Sequence, residues 1–266
     1  MSTTTALSSE TEALGIISQG ALVVVNHSGG KDSQAMLARL AVLVPRDQIL
    51  VIHAHLPDVE WAGTWEHVKD DARRHGVQAI QVRAGKTLLE MVERRRMWPS
   101  ASTRQCTSDL KRGPIEKAVR AHLKANPQFG GYVVSAMGLR AEESAARSKQ
   151  PSWKREDRNS KAGRNWYRWL PIHDMKIREV FETIASAGGS AHWAYAEGMS
   201  RLSCVFCIMA SECDLRTAAR LNPDLYRRYV SLEKKIGHTL RMDGRGLEQV
   251  TGLSASPSLI ENEQAA

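Results

Sequence analysis

Ala21-Leu22-Val23-Val24-Val25-Asn26-His27-Ser28-Gly29-Gly30-Lys31-Asp32-Ser33 is the stretch on which the fold turns. Residues 21–25 are apolar and mostly β-branched, which predicts a buried strand. A glycine-bearing loop, 26–31, comes next. Residues 32–44 then place Ala35, Met36, Leu37, Leu40 and Leu43 at helical spacing, and Pro45 follows. Strand, glycine loop and helix in that order suit a polyphosphate. Glycines let the backbone turn sharply and approach a ligand closely. The helix start directs N–H groups and a positive dipole end at the loop. Ser28 and Ser33 add hydroxyls, and Lys31 adds a full charge. The spacing is not the GxxxxGK[ST] of a Walker loop. A plain strand-to-helix turn is the simpler alternative.

Outward from this loop the pattern repeats. Strands are expected at 49–54, 78–82 and 132–136. Helices are expected at 61–75, 87–95 and 114–124, the last with Pro114 in its first turn. Strands alternating with helices imply an α/β fold with a doubly wound, mostly parallel sheet. Beyond Gly138 the pattern loosens into a basic loop at 151–168, a short strand at 169–172 and a helix at 175–187. The remainder is expected to be helical at 214–221 and 224–241. The organisation is thus a flexible N-terminus with a short helix (1–20), a nucleotide-binding α/β domain (21–190), a helical cysteine-bearing part (191–242) and a loose tail (243–266).

The 266 residues are 42% hydrophobic, enough for a sizeable core. No run approaches the roughly 20 apolar residues of a membrane span. The Ser/Thr-rich start carries Glu10 and no basic region, unlike a signal peptide, so a cytoplasmic protein is expected. A net charge of +8 favours phosphate-rich partners, nucleotides or nucleic acids, or is simply a basic surface. In a reducing compartment the four cysteines are expected as thiols or metal ligands rather than disulfides.

Ser28-Gly29-Gly30-Lys31-Asp32-Ser33 after a hydrophobic strand resembles the PP-loop of the ATP pyrophosphatase (adenine nucleotide alpha hydrolase) superfamily. The resemblance implies a HUP-like fold, ATP with Mg²⁺, and release of pyrophosphate with adenylation of an acceptor. Lys31 and Ser33 would hold the leaving pyrophosphate, and Ser28, Gly29, Gly30 and Asp32 would complete the ATP site.

Over roughly 21–241 the chain resembles the phosphoadenosine phosphosulfate (PAPS) reductase-like proteins. His53-Ala54-His55-Leu56-Pro57-Asp58 stands where that family usually has DTG. It departs from that pattern, and His53 either adjoins the nucleotide or packs at a strand end. Arg104-Gln105-Cys106-Thr107-Ser108-Asp109-Leu110-Lys111 is similar to R-x-C-T-x-x-L-K, implying that Arg104 and Lys111 meet an anionic substrate. Exposed surface charge is the alternative. Gly138-Leu139-Arg140-Ala141-Glu142-Glu143-Ser144, with Arg147, is similar to G-[IL]-R-x-x-[ED]-S-x-x-R. There Gly138 would let the backbone approach the nucleotide, and Arg140 and Arg147 would grip phosphate, Arg140 catalytically. Leu170-Pro171-Ile172-His173-Asp174 is similar to W-P-I-x-D-W, with Asp174 expected as a helix N-cap and Met175 where Trp is usual.

The resemblance stops at the end of the chain. Reductases of this kind carry a catalytic cysteine in a motif resembling ECGLH, and no cysteine follows Cys213 here. Cys204, Cys207 and Cys213 have C-x2-C-x5-C spacing, and Cys106 is a candidate fourth ligand. Four thiolates suit a [4Fe–4S] cluster or a structural zinc. The spacing resembles that of the iron–sulfur PP-loop ATPase of DNA phosphorothioation. Free or buried thiols are the alternative.

Trp153, Trp166 and Tyr167 lie among Lys154, Arg155, Arg158, Lys161, Arg164 and Arg168, a pattern able to stack bases and neutralise phosphates. Arg94-Arg95-Arg96 adds charge. A solvated loop is the other reading. The leading expectation is an ATP alpha-hydrolase that adenylates an unknown acceptor. The resemblance extends to accessory proteins of phage, plasmid and CRISPR or other defence loci. Two alternatives stay open: a sulfonucleotide reductase using an external thiol, and a non-catalytic nucleotide- or nucleic-acid-binding module.

Overall fold

The computed structural model describes residues 2–255, with side chains from Ser8 onward. In chain order the first half runs α1 (Ser2–Ile17), β1 (Leu22–Asn26), α2 (Lys31–Leu43), β2 (Ile49–His55), α3 (Thr64–Arg74), β3 (Gln78–Arg83), α4 (Leu88–Arg95), α5 (Gln105–Thr107) and α6 (Gly113–Ala125). The second half runs β4 (Tyr132–Met137), α7 (Ala145–Ser148), β5 (Trp153–Arg155), β6 (Asn165–Trp169), α8 (Ile177–Ser186), α9 (Glu212–Leu221), α10 (Pro223–Ile236) and α11 (Leu247–Thr251).

The chain divides into two units. The first comprises Met1–Ala54, Gly63–Val82 and Ile115–His192, and the second His55–Ala62, Arg83–Pro114 and Trp193–Ala266. This differs from the sequence expectation, in which one contiguous stretch formed the α/β domain. Two excursions from that stretch belong to the cysteine-bearing unit.

The first unit is built on a six-stranded sheet in the order β3-β2-β1-β4-β6-β5. β1 pairs in parallel with β2 and β4, β4 in parallel with β6, and β5 runs antiparallel to β6. The apolar run of β1 is continuous because the strand is central and covered on both faces. Val23 and Val25 enter one core cluster with Met36, Leu37 and Leu40 of α2, and Leu22 and Val24 enter another with Val119 and Leu123 of α6. Strand order reverses at β1, whose neighbours β2 and β4 leave in opposite directions. In such sheets ligands bind outside the carboxyl ends at that switch point.

The second unit is helical around one apolar cluster that includes Trp61, Trp98, Phe206, Tyr226 and Tyr229. Trp98 and Tyr229 stack at 5.0 Å between ring centres. Pro223 opens α10, and Gly237 closes it in the left-handed conformation at φ 67°.

Several boundaries differ from expectation. The supposed basic loop at 151–168 is largely the β5–β6 hairpin. Its tryptophans point inward, with Trp166 and Trp169 buried in the two sheet cores. The strand expected at 169–172 therefore ends at Trp169. α8 begins after Lys176, whose N–H is taken by the Glu179 carboxylate at 2.5 Å, so Asp174 is not its cap. The short helix expected in the N-terminal lead-in is α1, longer than expected, with Ala13 and Ile17 in the core. Within the expected loose tail lies α11, whose Leu247 N–H donates to buried Glu233 at 2.9 Å. Residues 256–266 lie outside the described residues. Among the described residues, no helix is long and apolar enough to cross a membrane.

Candidate active site: a phosphate loop and a thiol cluster

The loop expected to bind phosphate connects β1 to α2 at the switch point. Its entrance is pinned by Asn26, whose Nδ2 donates to Ser135 Oγ at 2.9 Å and to Ala136 O at 2.8 Å on β4. Gly29 adopts φ 81°, a left-handed conformation that disfavours side chains. Gly30 is the N-cap of α2 and supplies no side-chain cap. Ser33 Oγ donates to Gly30 O at 2.8 Å and accepts from Ser28 N at 3.2 Å, closing the loop on itself. Lys31 is 3% exposed, and its Nζ stands 3.4 Å from Asp32 Oδ2. A buried ammonium, two serine hydroxyls and a helix start are thus gathered within six residues.

His27, which the sequence reading passed over, lies directly beneath this loop. Its Nδ1 accepts from Gly29 N at 3.1 Å, and its Nε2 faces Asp71 Oδ2 of α3 at 3.0 Å. Asp71 Oδ1 also accepts from Gln34 Nε2 at 3.4 Å and Arg74 Nη1 at 3.1 Å. Burial alone would raise the Asp71 carboxyl. The hydrogen bond from His27, with the pull of the neighbouring histidines, outweighs it and holds the group below the usual carboxylate range. His53 also supports the loop from below, with Nδ1 2.9 Å from the His27 carbonyl and its ring stacked on Trp65.

The segment after β4 returns to the same loop. An added Cβ on Gly138 would fall 3.0 Å from Asp32 C and O and 3.1 Å from Ser33 N. That glycine therefore allows close packing against the start of α2. Arg140, 3% exposed, donates from Nε to Asp32 Oδ1 at 2.6 Å and from Nη1 to Glu142 at 2.5 Å. Arg147 pairs with Glu143. Both arginines expected to grip phosphate are thus engaged by carboxylates.

In the second unit, the Arg104–Lys111 stretch runs through α5 into a π-helical turn, Ser108–Arg112. Its two expected substrate contacts part company. Arg104 is exposed, with Nε on Ala101 O at 3.3 Å. Lys111 lies among Cys204, Cys207, Cys106 and Glu60. Burial would lower its ammonium pKa, but those four groups push it above the ordinary value. Glu60 in turn holds His55 Nδ1 at 2.8 Å. The Cys204 thiol is pushed up to about 12, chiefly by burial, with Lys111 opposing. Burial also raises Cys106, against the same lysine. Tyr229, fully buried, feels all three thiols, and its hydroxyl finds no hydrogen-bond partner among the described residues. Cys213 stands apart, exposed in the first turn of α9.

The phosphoadenosine phosphosulfate reductase domain family matches residues 22–210, a span holding both the loop and the Cys204–Cys207 pair. The chain belongs to this family. It is PAPS reductase-like and of the PP-loop class, and the matched span includes the loop just described. Among curated relatives, an uncharacterized protein of Methanocaldococcus jannaschii is 24% identical over 243 residues, covering 90% of this chain and 55% of that protein. An uncharacterized 37.8 kDa protein of Escherichia phage 186 is 28% identical over 153 residues, 57% of this chain and 44% of that one. The chain spans about half the length of the curated relatives it matches. Among solved structures, a Candida auris PAPS reductase in complex with phosphate aligns at 14% identity and TM-score 0.44, covering 68% of this chain and 80% of that one. A Candida glabrata FMN adenylyltransferase bound to FAD and pyrophosphate aligns at 11% and 0.42, covering 68% and 54%.

In this PAPS reductase family member, the aromatics expected to stack bases are otherwise engaged. Trp166 is in the core, and Trp153 lies on Tyr167 at 4.9 Å with rings 6° from parallel. Arg158 and Asn159 are held by Glu116. Lys154, Arg155 and Lys161 remain on the surface.

Proposed function

We propose that the chain binds MgATP at the loop between β1 and α2, cuts it between the α and β phosphates, and passes the adenylate to an acceptor. The observation that carries this reading is the placement of buried Lys31 and Ser33 in a glycine loop at a helix start, at the sheet's switch point. A lysine with little water around it neutralises developing charge on the leaving pyrophosphate more strongly than an exposed one. Ser28, Gly29, Gly30 and Asp32 shape the cradle. Arg140 serves it by holding Asp32, and His53 by supporting the loop from beneath. Pyrophosphate release from MgATP, followed while candidate acceptors are added, tests the reading. Release must be lost in Lys31→Ala while the fold persists.

Cys106, Cys204 and Cys207 are proposed to hold a metal centre, a [4Fe–4S] cluster or a zinc ion. What supports this is that Cys106, Cys204 and Cys207 are half-buried and all act electrostatically on Lys111 and on buried Tyr229, whose hydroxyl is unsatisfied among the described residues. Exposed Cys213 is the weaker candidate for a fourth position. Such a centre would supply electron transfer if iron–sulfur, or rigidity if zinc.

The family match favours one second reading, reduction of a sulfonucleotide by an external thiol. It predicts thioredoxin-dependent sulfite release from PAPS or adenylylsulfate, and no sulfite under those conditions discards it. The phage relative is in keeping with an accessory place in a phage or defence locus.

A further inference from the structure

The phosphate loop is braced on both flanks by one carboxylate. His27 opens the loop and Gln34 follows it, and both reach Asp71 on α3, at 3.0 and 3.4 Å. Asp71 is 2% exposed and His27 2% exposed, so water competes little with these contacts. Their pattern also fixes the imidazole. A backbone N–H can only donate, so Nδ1, which receives Gly29 N at 3.1 Å, carries no proton. The ring proton is then on Nε2, where the Asp71 carboxylate accepts it. Ser33 Oγ stands 3.4 Å from the same Nδ1.

We propose that His27 is a positioning residue of the phosphate loop, its Nδ1 clamping Gly29 and flanking Ser33 while Asp71 holds the ring in the Nε2–H tautomer. The clamp has a chemical consequence. Gly29 has a left-handed φ and lies outside the strands, so its buried N–H needs an acceptor that no strand ladder supplies. His27 is that acceptor. It sets the loop's curvature before a nucleotide arrives, so binding need not order these residues. An ordinary packing residue here, a phenylalanine for instance, fills the space but leaves the Gly29 N–H without an acceptor.

This inference rests on the reading of the loop as a nucleotide site. Its test separates the two. In the full chain, long-range ¹⁵N–¹H spectra of the histidines and exchange of the Gly29 amide are measured for wild type, His27→Asn and His27→Phe, without nucleotide. MgATP affinity is measured by calorimetry on the same proteins. Asparagine keeps a side-chain oxygen near the Nδ1 position, whereas phenylalanine keeps only the ring. The expected result is an Nε2–H tautomer and a protected Gly29 amide in wild type, with protection kept by His27→Asn and lost in His27→Phe. MgATP affinity should fall about tenfold in His27→Phe and be restored towards wild type in His27→Asn. A ring protonated on Nδ1, or a Gly29 amide equally protected in His27→Phe, overturns the clamp. If wild type binds no MgATP, the nucleotide reading fails, and tautomer and amide exchange decide the clamp by themselves.

Discussion

Arg140 Nε donates to Asp32 Oδ1 across 2.6 Å, tying the segment after β4 to the first turn of α2. A second carboxylate, Glu142, takes the same guanidinium on its other side and also accepts from Ile177 N at 2.9 Å. One buried arginine thereby joins the loop, the β4 exit and the start of α8. Arg140→Ala would leave partly buried Asp32 with only the more distant Lys31 ammonium, at 3.4 Å, as counter-charge. Removing one partner of a buried pair costs about 3–5 kcal/mol, and the residual exposure of Asp32 lowers this to about 2–3 kcal/mol. Urea unfolding reads it out. Arg140→Lys should recover only part, since an ammonium cannot serve both carboxylates in fork geometry.

Gly138 offers a second handle on the same junction. The neighbours of an added Cβ are backbone atoms of Asp32 and Ser33, which cannot rotate away. Gly138→Ala should cost about 1–3 kcal/mol of stability, as overpacking does, and should weaken MgATP binding by displacing the α2 start. Equal affinity in calorimetry would show that the loop tolerates the shift.

Acid should destabilise the first unit. Burial lowers the His67 pKa against the opposing pull of Asp71. His75 is lowered chiefly by burial, with Asp71 again opposing. Below about pH 6.5 the unfolded chain takes up protons that these folded imidazoles refuse, so their contribution is lost as pH falls. Asp71 acts in the same direction at lower pH, its contribution being present above the usual carboxyl range and lost as pH falls through its depressed folded value. Thermal unfolding followed between about pH 7.5 and 5.5 should show a fall in Tm, with a shallower slope in His67→Phe. An unchanged slope would remove His67 from the account.

Thiol reactivity should sort the cysteines. In metal-free protein at about pH 8, Cys213 is expected to react first with an aromatic disulfide reagent, being exposed. Cys204, pushed up to about 12, and Cys106 should react last. Peptide mapping of partly labelled protein gives the order. Fast labelling of Cys204 would contradict its raised thiol pKa.

The central strand, the loop and the succession of helices were legible because each has a local cause: the apolar run of β1, the glycines at 29 and 30, and helical spacing to Leu40. Across the β5–β6 hairpin the sequence misleads. Interleaved Lys and Arg masked the inward tryptophans, and basic residues on an edge strand look like a loop in sequence. The partnership of His27 with Asp71 has no local signature, since only the packing of α3 beside β1 brings the two together. The charge of Lys111 is visible in the sequence, whereas its neighbourhood with Cys106, Cys204 and Cys207 is not, because residues far apart in the chain create it. The short α11 was hidden in a polar tail, its anchor being the carboxylate of Glu233 on another helix.

The most direct test of the central claim is separation of the nucleotides formed when the purified chain is incubated with MgATP and candidate acceptors, with Lys31→Ala in parallel. The account predicts AMP or an adenylated acceptor together with pyrophosphate in wild type, and intact ATP in Lys31→Ala. Formation of ADP and phosphate would contradict cleavage between the α and β phosphates.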